Sequence, residues 1–455
     1  MSQQFLTKNG FPGGGWTTEA FRSVAQVFRK NFEDGEELGA SFVVYYKGRM
    51  VVDLWGGWED EKKTKPYTGS SLNVVHSSGK AVMSMVICNA ISKGYLSWDQ
   101  KIADVWPEFG TGNKQNVTIK DLLEHQGGLT YLDSDYAPTA EETMNLDALE
   151  RRIASQPHNF GGKLVKGYHG VTRGWFLNPL LRRVGPRKSH GELLKEWINP
   201  GLGIEVYCGI PEVALPRVNP VVESRLLKGT RAIALSVAQQ QSVGNKGGLQ
   251  QSFKVKLPPG VVQPANMKEV MLGQTPSAYT ITNARGLAKL AAVMANRGTL
   301  DGFTLMDEKT WREAHTLEER NLNERGKLHF SFDHFVYWTS TQHVALGVKV
   351  RTTWAGWGLS YPNFVVPQTV VEFDEKDLSK PPKLAFKPHM RGQGWEWCGW
   401  FGYGGSVIQW EPTHNVAVGY VMNLMGSGTA GDARSAELCA EVVRIVNELE
   451  KKGKI

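Results

Sequence analysis

Strand-forming sequence sits at the two ends of this chain, and the long stretch between them reads as helix and loop. Ser41–Tyr46 and Arg49–Trp55 are rich in β-branched and aromatic residues, and Lys47-Gly48 suits a two-residue hairpin turn. Gly404–Trp410 and Val416–Asn423 have the same character near the other end. A helix precedes the first hairpin. Thr17 or Thr18 can cap it, Phe21, Val24, Ala25, Phe28 and Phe32 follow at helical spacing, and Gly35 closes it. A last helix starts near Asp432 and carries an apolar stripe of Ala436, Cys439, Val443 and Val446. Strands so far apart share a core only if both ends return to one sheet. The pattern therefore predicts an α/β fold of the α+β type: an antiparallel sheet flanked by N- and C-terminal helices, with a large, mainly helical lobe. The expected boundaries are 1–75 with 275–455 for the sheet lobe and 76–274 for the helical lobe, together one domain. A cleft between two such lobes is a usual place for a site.

The middle holds several helix signals. An apolar run from Ser77 to Gly94 is the longest. Thr118–Glu124 is a short helix entered through Thr118, and Val184–Trp197 spans a turn and a helix. Thr282–Asn296 is amphipathic, with Leu287, Leu290, Ala291 and Met294 on one side. The region 301–395 mixes aromatics, charges and prolines and reads as loops with short strands.

Charge excludes some functions. The net charge of +7 is modest for 455 residues, and the basic residues are scattered. One local cluster, Arg182, Arg183, Arg187 and Lys188, reads as a solvated helix end. There is no nucleic-acid motif, so no nucleic-acid partner is expected. Cys88, Cys208, Cys398 and Cys439 are far apart and form no ligand-spaced pair, so neither a disulfide framework nor a metal site is expected. No cofactor is expected either. Met1–Phe5 lacks the basic and apolar regions of a secretory signal, and Ala81–Ile91 is too short for a membrane span. A cytoplasmic location is the expectation; the oligomeric state is left open.

The chemistry starts at Ser77-Ser78-Gly79-Lys80, the chain's single Ser-x-x-Lys. Chance yields about one or two such pairs in a chain of this length, so the setting must carry the argument. A serine hydroxyl attacks only when a base takes its proton. Residues three apart on a helix share a face, which aims the Lys80 amine at Ser77. The helix start also supplies backbone N–H groups and positive dipole to a developing oxyanion. No Gly-x-Ser-x-Gly elbow occurs, which argues against an α/β-hydrolase.

These residues and their surroundings resemble the serine β-lactamase and penicillin-binding-protein superfamily, and within it the esterase-like, β-lactamase-related branch. The similarity extends over Gly39–Trp58, Val105–Gly110, Asp121–Leu129, Tyr168–Trp175, Thr282–Arg285, Gly404–Ser406 and Tyr420–Asn423. The resemblance implies a second motif on a tyrosine, best matched by Tyr168, although Gly170 stands where Asn or Ser is usual. Tyr95 and Tyr361 fit the letters of that motif but not its context. It also implies a third motif on a strand facing the serine. Trp400-Phe401-Gly402 fills it, and Trp397-Cys398-Gly399 has the same form three residues earlier.

By that resemblance Ser77 is the nucleophile, and Lys80 and Tyr168 share acid–base work. Trp400, Gly402 and Tyr403 would line the substrate and oxyanion side, with the N–H groups of Ser77 and Tyr403 as donors. Trp400 replaces the cation that the superfamily uses for a penicillin carboxylate and can pack on an apolar acyl or alcohol group. The expected activity is hydrolysis of small-molecule carboxylic esters through an acyl-serine. The alternatives are an amide hydrolase, as a peptidase or weak β-lactamase, and a non-catalytic scaffold that keeps the fold. His125 reads as a loop-fixing residue, His76 and His169 as supports around the site, and Cys88 as core.

Overall fold

The computed structural model of the protein describes residues 5–164, 168–224, 256–315, 353–355, 368–372, 383–386, 395, 397–426 and 433–453. The two chain ends do return to one sheet. Its strands are β1 (Phe5–Leu6), β2 (Pro12–Thr17), β3 (Gly39–Tyr46), β4 (Arg49–Gly57), β5 (Cys398–Phe401), β6 (Val407–Glu411) and β7 (Val416–Met422), in the spatial order β1-β2-β4-β3-β7-β6-β5. Every neighbouring pair is antiparallel. The two ends meet where β7 pairs with β3, from Val416 opposite Tyr46 to Met422 opposite Ala40. Both strands are buried almost throughout, because helices cover the sheet on both faces.

The helices used below are α1 (Arg22–Glu33), α2 (Gly79–Ser92), α3 (Thr172–Leu181), α4 (Ala284–Ala295) and α5 (Ala433–Lys451). α1 and α5 pack together, and α4 lies on β3, β6 and β7. At Gly419 a Cβ would stand 2.5 Å from the Ala284 carbonyl, so a glycine is what lets α4 sit so close to β7. The β3–β4 turn needs positive φ at both central residues, and Lys47 (51°) and Gly48 (73°) have it.

Local readings hold in part. Thr118 closes a capping box with Asp121 and starts the helix Ile119–Leu123. Ser189 and Glu192 form another box, so the helix expected after a turn within Val184–Trp197 starts at His190 and continues through Leu194–Ile198 to Leu202. Thr17 ends β2, and Thr18 precedes the turn Glu19–Phe21 without a side-chain cap bond. Gly404 and Gly405 have φ of 89° and 126°, which starts β6 at Val407 rather than Gly404. The Arg182 cluster is ion-paired: Arg182 to Asp147 and Glu150, Arg183 to Glu150, and Lys188 to Glu196. Within 301–395, Thr353–Ala355, Gln368–Glu372 and Lys383–Phe386 form a small antiparallel sheet. The rest of 316–394, with Tyr361, and Asp432 lie outside the described residues. No described helix is long and apolar enough to cross a membrane.

Candidate active site

Ser77 lies in a 3₁₀ turn, His76–Ser78, that leads straight into α2. α2 is apolar on nearly every side and buried, so Lys80 at its start is 0% exposed. A buried amine must find partners for its hydrogens. Lys80 Nζ lies 3.1 Å from Ser77 Oγ, and it donates to the carbonyls of Gly170 and Ser277, each at 2.7 Å. Burial, reinforced by the neighbouring Arg173 guanidinium, holds the Lys80 amine well below its ordinary pKa.

The Tyr168 hydroxyl is 2.8 Å from Ser77 Oγ, and Lys80 Nζ stands 4.8 Å above the Tyr168 ring. Trp400 lies parallel to that ring, 6.2 Å between centroids and 11° between planes, and its indole N–H donates to the Tyr168 hydroxyl. Burial pushes the phenol pKa up, while Ser77, Arg173 and Trp400 pull it part of the way back, so Tyr168 carries its proton at neutral pH.

A histidine pair fixes the segment that carries Tyr168. His169 donates its backbone N–H to His125 Nδ1, and His169 Nε2 accepts the N–H of Leu129, both at 3.0 Å. The His125 ring is 4.9 Å from Tyr168 and 5.7 Å from Trp400. His125 has φ of 61°, which turns the chain after the short helix. His76 is also at positive φ (45°), with its ring edge-on to Tyr279 and Tyr403. Burial and the adjacent Lys80 lower its pKa to about 4, so it is neutral at neutral pH.

The turn after β5 is stitched to the chain just before Ser77. Ser406 Oγ donates to the Val75 carbonyl at 2.8 Å and meets Ser78 Oγ at 2.9 Å. Gly402 is the point of closest approach: a Cβ there would come within 2.2 Å of the Val75 carbonyl. The next turn is anchored from α5, where Arg434 donates to the Gly404 carbonyl at 2.8 Å and pairs with the buried Glu37.

Ser77, Lys80, Tyr168 and Trp400 thus meet in one place. Trp400, not Trp397, faces Tyr168; Trp397 packs on Trp395 with ring centroids 5.6 Å apart. Tyr95 is 45% exposed and covers Gly185, away from Ser77. Trp400 is only 4% exposed and stacks on Tyr168. The Gly402 N–H donates to the Ser406 carbonyl at 2.8 Å, which closes the turn that leads to Tyr403. Sequence reasoning missed Arg173 and the carbonyls of Gly170 and Ser277. Arg173 had a signal, a lone charge in the otherwise uncharged and fully buried α3. The carbonyls had none, since any residue supplies one. Among the described residues no cluster of His, Cys, Asp and Glu could hold a metal ion.

Comparison with known proteins agrees with this geometry. A beta-lactamase family profile matches residues 24–440. The esterase/beta-lactamase LipL of Mycobacterium tuberculosis is 26% identical over 311 residues, 66% of this chain and 70% of that protein. A penicillin-binding-protein homologue from Caulobacter crescentus superposes with a TM-score of 0.66 at 27% identity, covering 95% of this chain and 99% of the other. A family VIII carboxylesterase superposes with a TM-score of 0.68 at 25% identity, with the same coverage.

Proposed function

The chain belongs to the beta-lactamase family and is a serine hydrolase of carboxylic esters; we propose that its acyl transfer runs through Ser77, Lys80 and Tyr168. One observation carries this assignment: the three contacts of the Lys80 amine. A neutral amine has two hydrogens and one lone pair. The Gly170 and Ser277 carbonyls take the hydrogens, which leaves the lone pair for the Ser77 hydroxyl. Trp can only donate, so the remaining bonds are directed as well. Trp400 N–H donates to the Tyr168 oxygen, Tyr168 O–H donates to Ser77 Oγ, and Ser77 O–H points at Lys80.

Ser77 attacks the ester carbonyl as its proton passes to Lys80. The oxyanion faces the helix start at Ser77 and the Tyr403 N–H, in the turn held by Arg434. As the intermediate collapses, Tyr168 gives its proton to the departing alkoxide and is recharged from the Lys80 ammonium. Water then cleaves the acyl-serine by the reverse path, returning the proton to Ser77. Small-molecule esters are the substrate class. The third motif offers Trp400 in place of a cation, so a penicillin carboxylate finds no ionic partner there. We also assign the lobe division at 1–75 with 275–455 and at 76–274, which puts Ser77 and Trp400 on opposite sides of the join. The four buried free thiols fit a reducing, cytoplasmic setting.

The test is hydrolysis of short-chain aryl esters against opening of a penicillin-type ring, with a serine-reactive phosphonate mapped by peptide mass. Faster ester turnover and label on Ser77 are expected. Equal ester turnover by wild type and Ser77→Ala would overturn the assignment.

A further inference from the structure

Arg173 lies behind the site and touches no substrate-facing surface, being 1% exposed. It projects from α3 against α2. Its Nη1 donates to the Lys80 carbonyl at 3.3 Å and its Nη2 to Ser84 Oγ at 2.5 Å. Ser84 Oγ in turn donates to the same Lys80 carbonyl at 3.0 Å. The guanidinium is thus tied to residues 80 and 84, one turn apart on α2, the helix that follows Ser77. A buried charge normally has a carboxylate partner. Among the described residues Arg173 has none, and its Nε is buried without a hydrogen-bond partner. A fold that only needed to fill this space would use an apolar side chain. The cost of an uncompensated guanidinium calls for a return elsewhere.

We propose that Arg173 is a positioning residue whose buried, carboxylate-free charge keeps the Lys80 amine unprotonated and ready to accept the Ser77 proton. A fixed cation nearby makes a second one costly. The same charge favours the transient phenolate on Tyr168. The groups around this pair are few. α2 contributes Ser84 and Cys88; the segment before α3 contributes Tyr168 and His169; His125 and His76 stand beyond them. Burial raises the Cys88 and Tyr168 pKa values and lowers that of His76 to about 4. Lys80 is then the group whose titration sets the acid limb of kcat/KM.

This inference rests on Lys80 acting as the base. The experiment is the pH profile of kcat/KM for a neutral aryl ester in wild type, Arg173→Met and Arg173→Lys. Met fills similar space without charge, and replacing a buried ion by an apolar group is often tolerated. In Arg173→Met the acid limb should move up by about one pH unit or more, and turnover at a fixed pH below the limb should fall about tenfold, in kcat rather than KM. Arg173→Lys should keep the limb closer to wild type than Met does. A folded Arg173→Met with an unmoved limb overturns the proposal. If Arg173→Met does not fold, Arg173→Gln carries the same reading: a raised limb supports the proposal and an unmoved one overturns it. Lys80→Ala separates the two levels. Activity retained there sinks the base assignment itself, whereas activity lost there with an unmoved Arg173→Met limb sinks only the role of Arg173.

Discussion

Among the described residues two lysines are fully buried, and only one of them sits beside a candidate nucleophile. Lys114, in the helical region, donates to the carbonyls of Ala154 and Gln156 and lies 5.0 Å from the Phe109 ring centroid. Lys80 has the same kit, two carbonyls and an aromatic ring, 0% exposure in both cases. The differences are the third neighbour and the charge behind. Lys80 faces the Ser77 hydroxyl and has Arg173 at its back; burial alone lowers the Lys114 pKa, to about 8. Burial and carbonyls therefore make a lysine a strut between loops. In the proposed mechanism, a hydroxyl on the lone pair and a second cation turn the same arrangement into a base.

The comparison breaks most visibly at Ser77. Ser77→Ala should lower ester turnover by about 10⁴-fold or more, because groups acting as a unit fail together. It should leave the circular dichroism spectrum and melting curve near wild type, since one hydroxyl is a small volume. The lysines come next. Lys80→Met should cost about 10³-fold in kcat, and Lys114→Met should leave kcat within about twofold. Comparable losses in the two variants would erase the distinction drawn between them.

Tyr168→Phe and Trp400→Phe grade the relay beyond Lys80. The first removes the proton carrier and should cost about 10²-fold or more in kcat. The second removes one donor to the Tyr168 oxygen and should cost about tenfold, the worth of one hydrogen bond. A larger loss in Trp400→Phe than in Tyr168→Phe would shift the leading role to the indole.

The smallest effect is thermodynamic. Between about pH 8 and the ordinary value of 10.5, folded Lys114 holds fewer protons than it does in the unfolded chain. Stability from this group therefore rises with pH across that window and is lost as pH falls through it. Lys114→Met should flatten the rise, read as urea midpoints at pH 8 and pH 10. An unchanged slope would mean that Lys114 stays protonated in the fold and forms a costly strut rather than a neutral one.

Much of this was legible in residue order. The β-branched and aromatic runs of β3 and β4, the Lys47-Gly48 turn and the Thr118 helix start are local, and each formed near its expected place. Ser77 and Lys80 are legible for the same reason, since helical spacing alone sets them side by side. The register of the third motif was not. Trp397 and Trp400 have identical local patterns, and their roles differ only because the stitching of Gly402 and Ser406 to Val75 brings Trp400 over Tyr168. Gly170 looked like a gap in the second motif. Its carbonyl, which every residue has, is what Lys80 uses.

The amino-acid order by itself picked out Ser77, the lysine three places along, and a sheet drawn from both ends. All are consequences of short-range periodicity and of where apolar strands lie. Only the tertiary structure decided the lowered pKa of Lys80, the partner of Tyr168 and the surroundings of the charge inside α3. Those depend on which backbone oxygens, ring edges and cations from distant segments converge in a buried space, where each missing partner is costly and each fixed charge reaches further.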